Sequence, residues 1–136
     1  LKTTMAGTIS LNVYEGRGMK DTGWFGGKTD PYIKFRVMGH GNKKGGKFKT
    51  LICRNGGSNP DWRGEHHSFK VKGNEEYIKI EARDSSTVLG TAAVGLQAIF
   101  AANHAPVDTW VQLLDEARRP TCGQLHCVFT YHGPGG

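Results

Sequence analysis

Apolar and polar residues alternate in several short segments of this chain, the first at residues 7–14. There Ile9, Leu11 and Val13 share one side, which is the period-two pattern of a half-buried β-strand. Similar patterns predict strands at residues 31–37, 48–53, 67–71, 77–82, 88–94 and 124–131, with longer loops at 18–30, 54–65 and 83–90. Only residues 96–102 are suited to a turn or two of helix. About eight strands separated by Gly-, Asn- and Pro-rich turns predict an all-β, antiparallel β-sandwich.

Length and cysteine content limit the classes of protein to consider. At 136 residues the chain is long enough for one hydrophobic core. The uncharged residues 85–106 include several polar side chains, so they do not predict a membrane-spanning helix. The first five residues lack the pattern of a secretory signal. The three cysteines, Cys53, Cys122 and Cys127, are odd in number and lie in or near apolar segments, which favours reduced thiols and a cytoplasmic protein.

Four short motifs occur in an order that resembles one family. Residues 28–34 contain Thr-Asp-Pro-Tyr, residues 58–62 contain Asn-Pro-Asp-Trp, residues 78–84 form a strand pattern that ends in Asp, and residues 89–90 are Leu-Gly. Together with the first strand and the Gly-Gln-Leu segment at residues 123–129, this series resembles the C2 domain family. The resemblance covers residues 6–132, and the Gly/Pro-rich residues 133–136 look like the start of a tail or linker. It implies an eight-stranded sandwich in the type-II strand order, because the first strand leads directly to the Asp-Pro-Tyr motif.

The resemblance also implies a calcium question, because carboxylates from the first and third loops of this family hold calcium. Asp21, Asp30 and Asp84 match three of the five usual positions, Ser86 stands at the fourth, and the fifth has no counterpart. Losing two carboxylates removes both ligands and negative charge. We therefore expect weak, single-ion or absent calcium binding. Without a metal, Asp30 can cap the following turn and Asp84 can accept hydrogen bonds from loop amides.

Positive charge is concentrated in one part of the chain. The net charge is +6, which should draw the protein to polyanions. On neighbouring strands, Lys34 and Arg36 would share a face, as would Lys47 and Lys49. This set resembles the lysine-rich strand patch through which some C2 domains bind phosphoinositide head groups. The predicted head-group residues are Lys34, Arg36, Lys43, Lys44, Lys47, Lys49 and Arg54. The alternative is that Lys43, Lys44 and Lys47 belong to a solvated hairpin turn.

The first loop carries two large aromatic residues, Trp24 and Phe25, between glycines. Aromatic rings partition well to the boundary between water and lipid, so these residues are candidates for membrane insertion. The alternative is that both rings fold back over the end of the sandwich.

These features favour a peripheral membrane module on the cytoplasmic side, binding anionic phospholipids with little or no calcium dependence. A calcium-independent protein-interaction module is the second hypothesis, with the basic residues facing an acidic partner. We expect no enzyme, since no nucleophile lies beside a base and no Gly-rich phosphate loop joins a strand to a helix. We also expect no nucleic-acid ligand, because basic residues interleaved with stacking aromatics on one sheet face are not evident.

Overall fold

The computed structural model describes residues 6–21 and 28–134, and it confirms the all-β prediction. Eight strands and one short helix make up the regular structure of these residues. In chain order they are β1 (Gly7–Arg17), β2 (Tyr32–Gly39), β3 (Lys44–Lys49), β4 (Asp61–Val71), β5 (Glu75–Asp84), β6 (Thr87–Gly95), α1 (Gln97–Ala101), β7 (Pro106–Gln112) and β8 (Gln124–His132), with a single 3₁₀ turn at His40–Asn42.

The strands form two four-stranded antiparallel sheets. One sheet has the order β4-β1-β8-β7 and the other has the order β3-β2-β5-β6. The first strand pairs with the last, so that Leu11 lies opposite Phe129. The same first strand leads directly to β2, which carries the Asp-Pro-Tyr motif at its start. This connectivity is the type-II order that the sequence predicted.

Alternation along the strands divides each sheet into an inner and an outer surface. Ile9, Leu11 and Val13 of β1 are fully buried, as are Ile78 and Ile80 of β5 in the other sheet. These inward rows meet in a single hydrophobic cluster between the sheets. The apolar half of each alternating segment therefore forms the core, and the polar half is left on two outer faces.

Three of the connections between strands lie at the same end of the sandwich. Arg17 lies opposite Gln124, Tyr32 lies opposite Arg83, and Asp84 lies opposite Thr87. The β1–β2, β3–β4 and β5–β6 connections therefore lie at one end, here called the loop end. Gly7 and His132 lie at the opposite end.

The strand predicted at residues 48–53 is correct only for Phe48 and Lys49, because β3 covers Lys44–Lys49. Beyond Lys49, the hydroxyl of Thr50 takes the place of a backbone acceptor and receives the N–H of Ile33 at 3.0 Å. Pro31, which immediately precedes β2, has no N–H to continue the ladder. The apolar residues after Thr50 consequently leave the sheet, and Leu51 is 75% exposed.

The second predicted loop lies earlier in the chain than expected, and the third is shorter than expected. The predicted loop at 54–65 ends early, because β4 already begins at Asp61. A bulge follows, with positive φ angles of 56° at Arg63 and 76° at Gly64, and the ring of Trp62 is buried. The predicted loop at 83–90 is a hairpin whose turn is only Ser85 and Ser86.

Within residues 6–21 and 28–134, α1 is the only α-helix, and it lies where the sequence predicted a turn or two of helix. Among the described residues, no helix is long and apolar enough to cross a membrane. All three cysteines are free thiols, as expected. Burial of Cys127 raises its pKa to about 12, which leaves this thiol protonated and unreactive at neutral pH.

Candidate functional site

The outer surface of the β3-β2-β5-β6 sheet carries most of the predicted head-group residues. Lys34 lies opposite Lys49, and Arg36 lies opposite Lys47, on the adjacent strands β2 and β3. Their side chains border a shallow depression of ≈ 540 Å³. The prediction that these four residues share one face is confirmed. We call this surface the basic face and define it by Lys34, Arg36, Lys44, Lys47, Lys49 and Lys79.

Lys79 is a member of the basic face that sequence reasoning missed. It lies on β5 directly opposite Arg36 of β2. The alternation in residues 78–82 marks Lys79 as outward-facing, yet it does not reveal that β5 is the neighbour of β2. That neighbour relation depends on the order of strands in the folded sheet.

Few negative charges balance the basic face. Glu81 lies opposite Lys34, and its carboxylate is 3.7 Å from a guanidinium nitrogen of Arg83. Arg36 donates a hydrogen bond to the carbonyl oxygen of Gly45 at 3.1 Å, which fixes the side chain across β3. Like charges placed directly opposite on a sheet are destabilising. The Lys34–Lys49 and Arg36–Lys47 pairs therefore create a positive electrostatic potential. A bound anion would reduce the repulsion within these pairs.

Two of the predicted head-group residues do not join the basic face. Lys43 lies between the 3₁₀ turn and β3, where its carbonyl oxygen accepts a hydrogen bond from Gly39, so the solvated-turn interpretation suits this residue. Lys44 and Lys47 lie on β3 itself. Arg54 lies beyond β3, beside a second depression at the loop end.

The first-loop carboxylates hold the loop structure together. Asp21 accepts hydrogen bonds from both the N–H (3.1 Å) and the hydroxyl (2.6 Å) of Thr29. Asp30 accepts a hydrogen bond at 2.7 Å from the N–H of Asn55, which ties the β1–β2 connection to the β3–β4 connection. Neither set of bonds needs a metal. The bond to Asp30 comes from a different loop, whereas the metal-free role expected for this residue was a cap on the turn that follows it.

The third-loop residues sit on a tight hairpin. Asp84 ends β5 opposite Thr87, and Ser86 is exposed in the turn. A two-residue turn has no room for additional ligands. Within residues 6–21 and 28–134, no group of three His, Cys, Asp or Glu side chains is placed to hold one metal ion. These donors do not fit the cage of six to eight oxygens that calcium requires.

Trp24 and Phe25, the candidates for membrane insertion, lie outside the described residues. Neither insertion nor packing over the end of the sandwich is tested by the structure.

The outer surface of the other sheet differs in its chemistry. Here Tyr14 stacks on His126 with ring centroids 5.0 Å apart, and His126 stacks on Trp110 at 4.8 Å. The guanidinium of Arg17 lies 4.7 Å from the Trp110 ring, and His126 contacts Asp108 at 2.7 Å. We call this surface the stacked face. The sequence did not indicate it, because its members come from three different strands.

A family model described as the C2 domain matches residues 7–113, which is most of the chain. The chain belongs to the C2 domain family. No curated protein sequence matches it significantly. Members of the C2 family serve as membrane, lipid or protein interaction modules and are generally not catalytic.

Solved structures show the same fold. A C2 domain of a plant Extended Synaptotagmin 1 superposes with a TM-score of 0.80 at 16% identity, covering 99% of this chain and 100% of that one. A C2 domain-containing protein from a putative elicitor-responsive gene gives 0.74 at 16% identity, covering 99% and 96%. Human GIVD cytosolic phospholipase A2 gives 0.74 at 15% identity, and the match covers 98% of this C2 domain but 18% of that chain. At these identities the likeness concerns the fold.

Proposed function

We propose that this C2 domain docks peripherally on anionic phospholipid membranes through its basic face, with weak or no dependence on calcium. The observation that carries the proposal is the concentration of six cationic side chains around one depression, where Glu81 is the only acidic residue among the described residues of the lining. Phosphoinositides are the head groups that suit this face best, because several phosphate groups can contact several opposed cations at once. The cytoplasmic leaflet, which carries most of the anionic lipid, is the membrane surface we propose.

The expected strength of docking follows from the number of charges. Each Lys or Arg near an anionic leaflet contributes about 1 kcal/mol. Screening limits the attraction to about 8 Å at physiological ionic strength. Five or six such residues therefore support docking that is effective at low salt and falls steeply as salt rises.

Calcium enters this proposal only as a minor influence. Asp21 and Asp30 already accept hydrogen bonds from the loop backbone, and the turn after Asp84 is only two residues long. We expect any calcium affinity to lie well below that of a calcium sensor, with Asp21, Asp30, Asp84 and Ser86 as the weak ligand set. Isothermal titration that showed sub-micromolar binding would contradict this expectation.

Co-sedimentation with vesicles tests the proposal directly. The domain should pellet with vesicles that contain phosphatidylserine or a phosphoinositide, and it should stay in solution with neutral phosphatidylcholine vesicles. Replacing Lys34, Arg36, Lys47 and Lys49 with alanine should weaken binding by about 100-fold or more, at roughly tenfold per 1.4 kcal/mol. Replacing Lys70, on β4 of the other sheet, is the matched control and should have little effect.

The same measurement separates lipid binding from protein binding. If the wild-type domain does not co-sediment with anionic vesicles at low salt, the lipid proposal is wrong. An acidic protein partner for the basic face then becomes the better hypothesis. If the domain binds lipid as proposed, its binding to vesicles should be equal in the presence of calcium and in the presence of a calcium chelator.

A further inference from the structure

The connection between β7 and β8 carries an exposed threonine that follows two arginines. Arg118 and Arg119 are the only adjacent pair of arginines in the chain, and Pro120 and Thr121 come directly after them. Arg118, Arg119 and Thr121 are all exposed. Cations two and three residues before a hydroxyl form a charge pattern that the acidic substrate groove of a protein kinase can bind by complementarity.

Asp115 organises this connection around its carboxylate. One carboxylate oxygen accepts the backbone N–H groups of Ala117 and Arg119, both at 2.9 Å. The other oxygen accepts the guanidinium of Arg119 at 3.1 Å and the hydroxyl of Thr121 at 2.8 Å. In the unmodified protein the Thr121 hydroxyl is therefore a donor to a carboxylate, and it shares that acceptor atom with Arg119.

A phosphate on Thr121 is incompatible with this arrangement. The esterified oxygen has no hydrogen to donate, and the phosphate brings up to two negative charges beside the Asp115 carboxylate. The two anions repel each other. Because Arg119 contacts the same carboxylate oxygen as Thr121, its guanidinium is close enough to turn to the phosphate, which it can bind with two parallel hydrogen bonds.

Thr50 shows that the charge pattern alone does not make a hydroxyl accessible. Lys47 and Lys49 stand three residues and one residue before it. Thr50 is nevertheless only 4% exposed, and its hydroxyl accepts the N–H of Ile33 within the β2–β3 pairing. A kinase would have to open a sheet to reach Thr50, whereas Thr121 is exposed in a connection between strands.

We propose that Thr121 is a phosphorylation site for a protein kinase that selects arginines before the hydroxyl, and that the phosphate takes Arg119 from Asp115. The Thr121 oxygen bonds to the γ-phosphorus of ATP, and the bond between that phosphorus and the β–γ bridging oxygen breaks. ADP leaves, and the hydroxyl proton passes to a base of the kinase. This proposal is independent of lipid docking, because it concerns the β7–β8 connection and not the basic face.

Phosphorylation of the folded domain tests the site. With magnesium, ATP and a kinase that selects arginine two and three residues before the hydroxyl, the intact mass should show one added phosphate, and fragmentation should place it on Thr121. Arg118→Gln should slow the reaction about tenfold, since one charged contact with the kinase is lost. Lys47→Gln, which precedes the buried Thr50, is the matched control and should leave the rate unchanged.

Two results would overturn the site. One is a folded domain that takes up no phosphate, and the other is a Thr121→Val protein that takes up phosphate as fast as the wild type.

An NMR titration of the Asp115 carboxyl group tests the exchange of Arg119. Hydrogen bonds from the Arg119 backbone and the Thr121 side chain hold its pKa at about 2 in the unmodified protein. Phosphorylation should raise this pKa, because the Thr121 bond is lost and a negative charge is added. Thr121→Val loses only the hydrogen bond and should raise the pKa less. Equal pKa values in the phosphorylated and unmodified proteins would show that the phosphate does not take Arg119 from Asp115.

Discussion

The two outer faces of this sandwich differ in how side chains on neighbouring strands interact. On the stacked face, neighbouring strands present groups that attract one another, such as His126 between Tyr14 and Trp110. On the basic face, neighbouring strands present groups that repel one another, such as Arg36 opposite both Lys47 and Lys79. Cross-strand pairs stabilise a sheet when they attract and destabilise it when they repel. The stacked face therefore contributes to folding, whereas the basic face gives up stability and keeps its charge available for a ligand.

Truncation of the stacked face should have the largest effect on stability. Trp110→Ala removes the contacts of the indole with His126 and with Arg17, so we expect a loss of about 2 kcal/mol in the free energy of unfolding. Urea denaturation measures this loss, and Trp110→Phe should recover much of it. Binding to anionic vesicles should be unchanged in folded protein. A loss below about 0.5 kcal/mol would show that the stack does not support the fold.

A charge reversal on the basic face should have a smaller effect on stability, and of opposite sign. Lys47→Glu converts the repulsive pair with Arg36 into an attractive one, so we expect a gain of about 0.5 kcal/mol in the free energy of unfolding. Vesicle affinity should fall at the same time, by about tenfold or more. Lys47→Gln is the control and should lie between the two proteins in both measurements. A destabilised Lys47→Glu protein would contradict the repulsion described for this face.

The smallest expected effect on stability changes only at acidic pH. Asp115 lies in the connection between β7 and β8, where hydrogen bonds from the Arg119 backbone and the Thr121 side chain lower its pKa to about 2. Because the folded pKa is below that of the unfolded chain, this carboxylate stabilises the protein above about pH 4. The contribution is lost as pH falls through about 2.

Asp115→Asn tests this pH dependence. The difference in urea stability between wild type and Asp115→Asn should be constant from pH 7 to about pH 5 and should shrink toward pH 2. A difference that stayed constant down to pH 2 would show that the charge of Asp115 has no part in it.

Local patterns predicted most of the fold. Alternation at residues 7–14 placed Ile9, Leu11 and Val13 in the core, and the ordered motifs indicated the family and the strand order. The strand predicted at residues 48–53 ends early, after Lys49, where the hydroxyl of Thr50 accepts the N–H of Ile33 in place of a backbone carbonyl. The pattern of apolar residues does not show where a side-chain hydroxyl will replace a backbone carbonyl as the hydrogen-bond acceptor.

The candidate site was only partly predictable, because its members come together through strand order. The pairing of Lys34 with Lys49 followed from two neighbouring segments of the sequence, whereas Lys79 arrives from a strand that is distant along the chain. The sequence pattern placed Leu51 in a strand. Its exposed position depends on hydrogen bonds between its backbone and the side chains of Glu65 and Trp62, which are 14 and 11 residues further along the chain. The roles proposed for Trp24 and Phe25 remain predictions.

The position of β3 has a further consequence, for self-association. This strand lies at the edge of its sheet, where unpaired backbone groups can serve as a template for another β-strand. Three of its six residues are lysines and two are glycines. A second copy that approached this edge would bring its own lysines against them, and glycines provide little side-chain surface for such a pairing. The residues that attract a phosphate surface therefore also help to keep the domain from polymerising edge to edge.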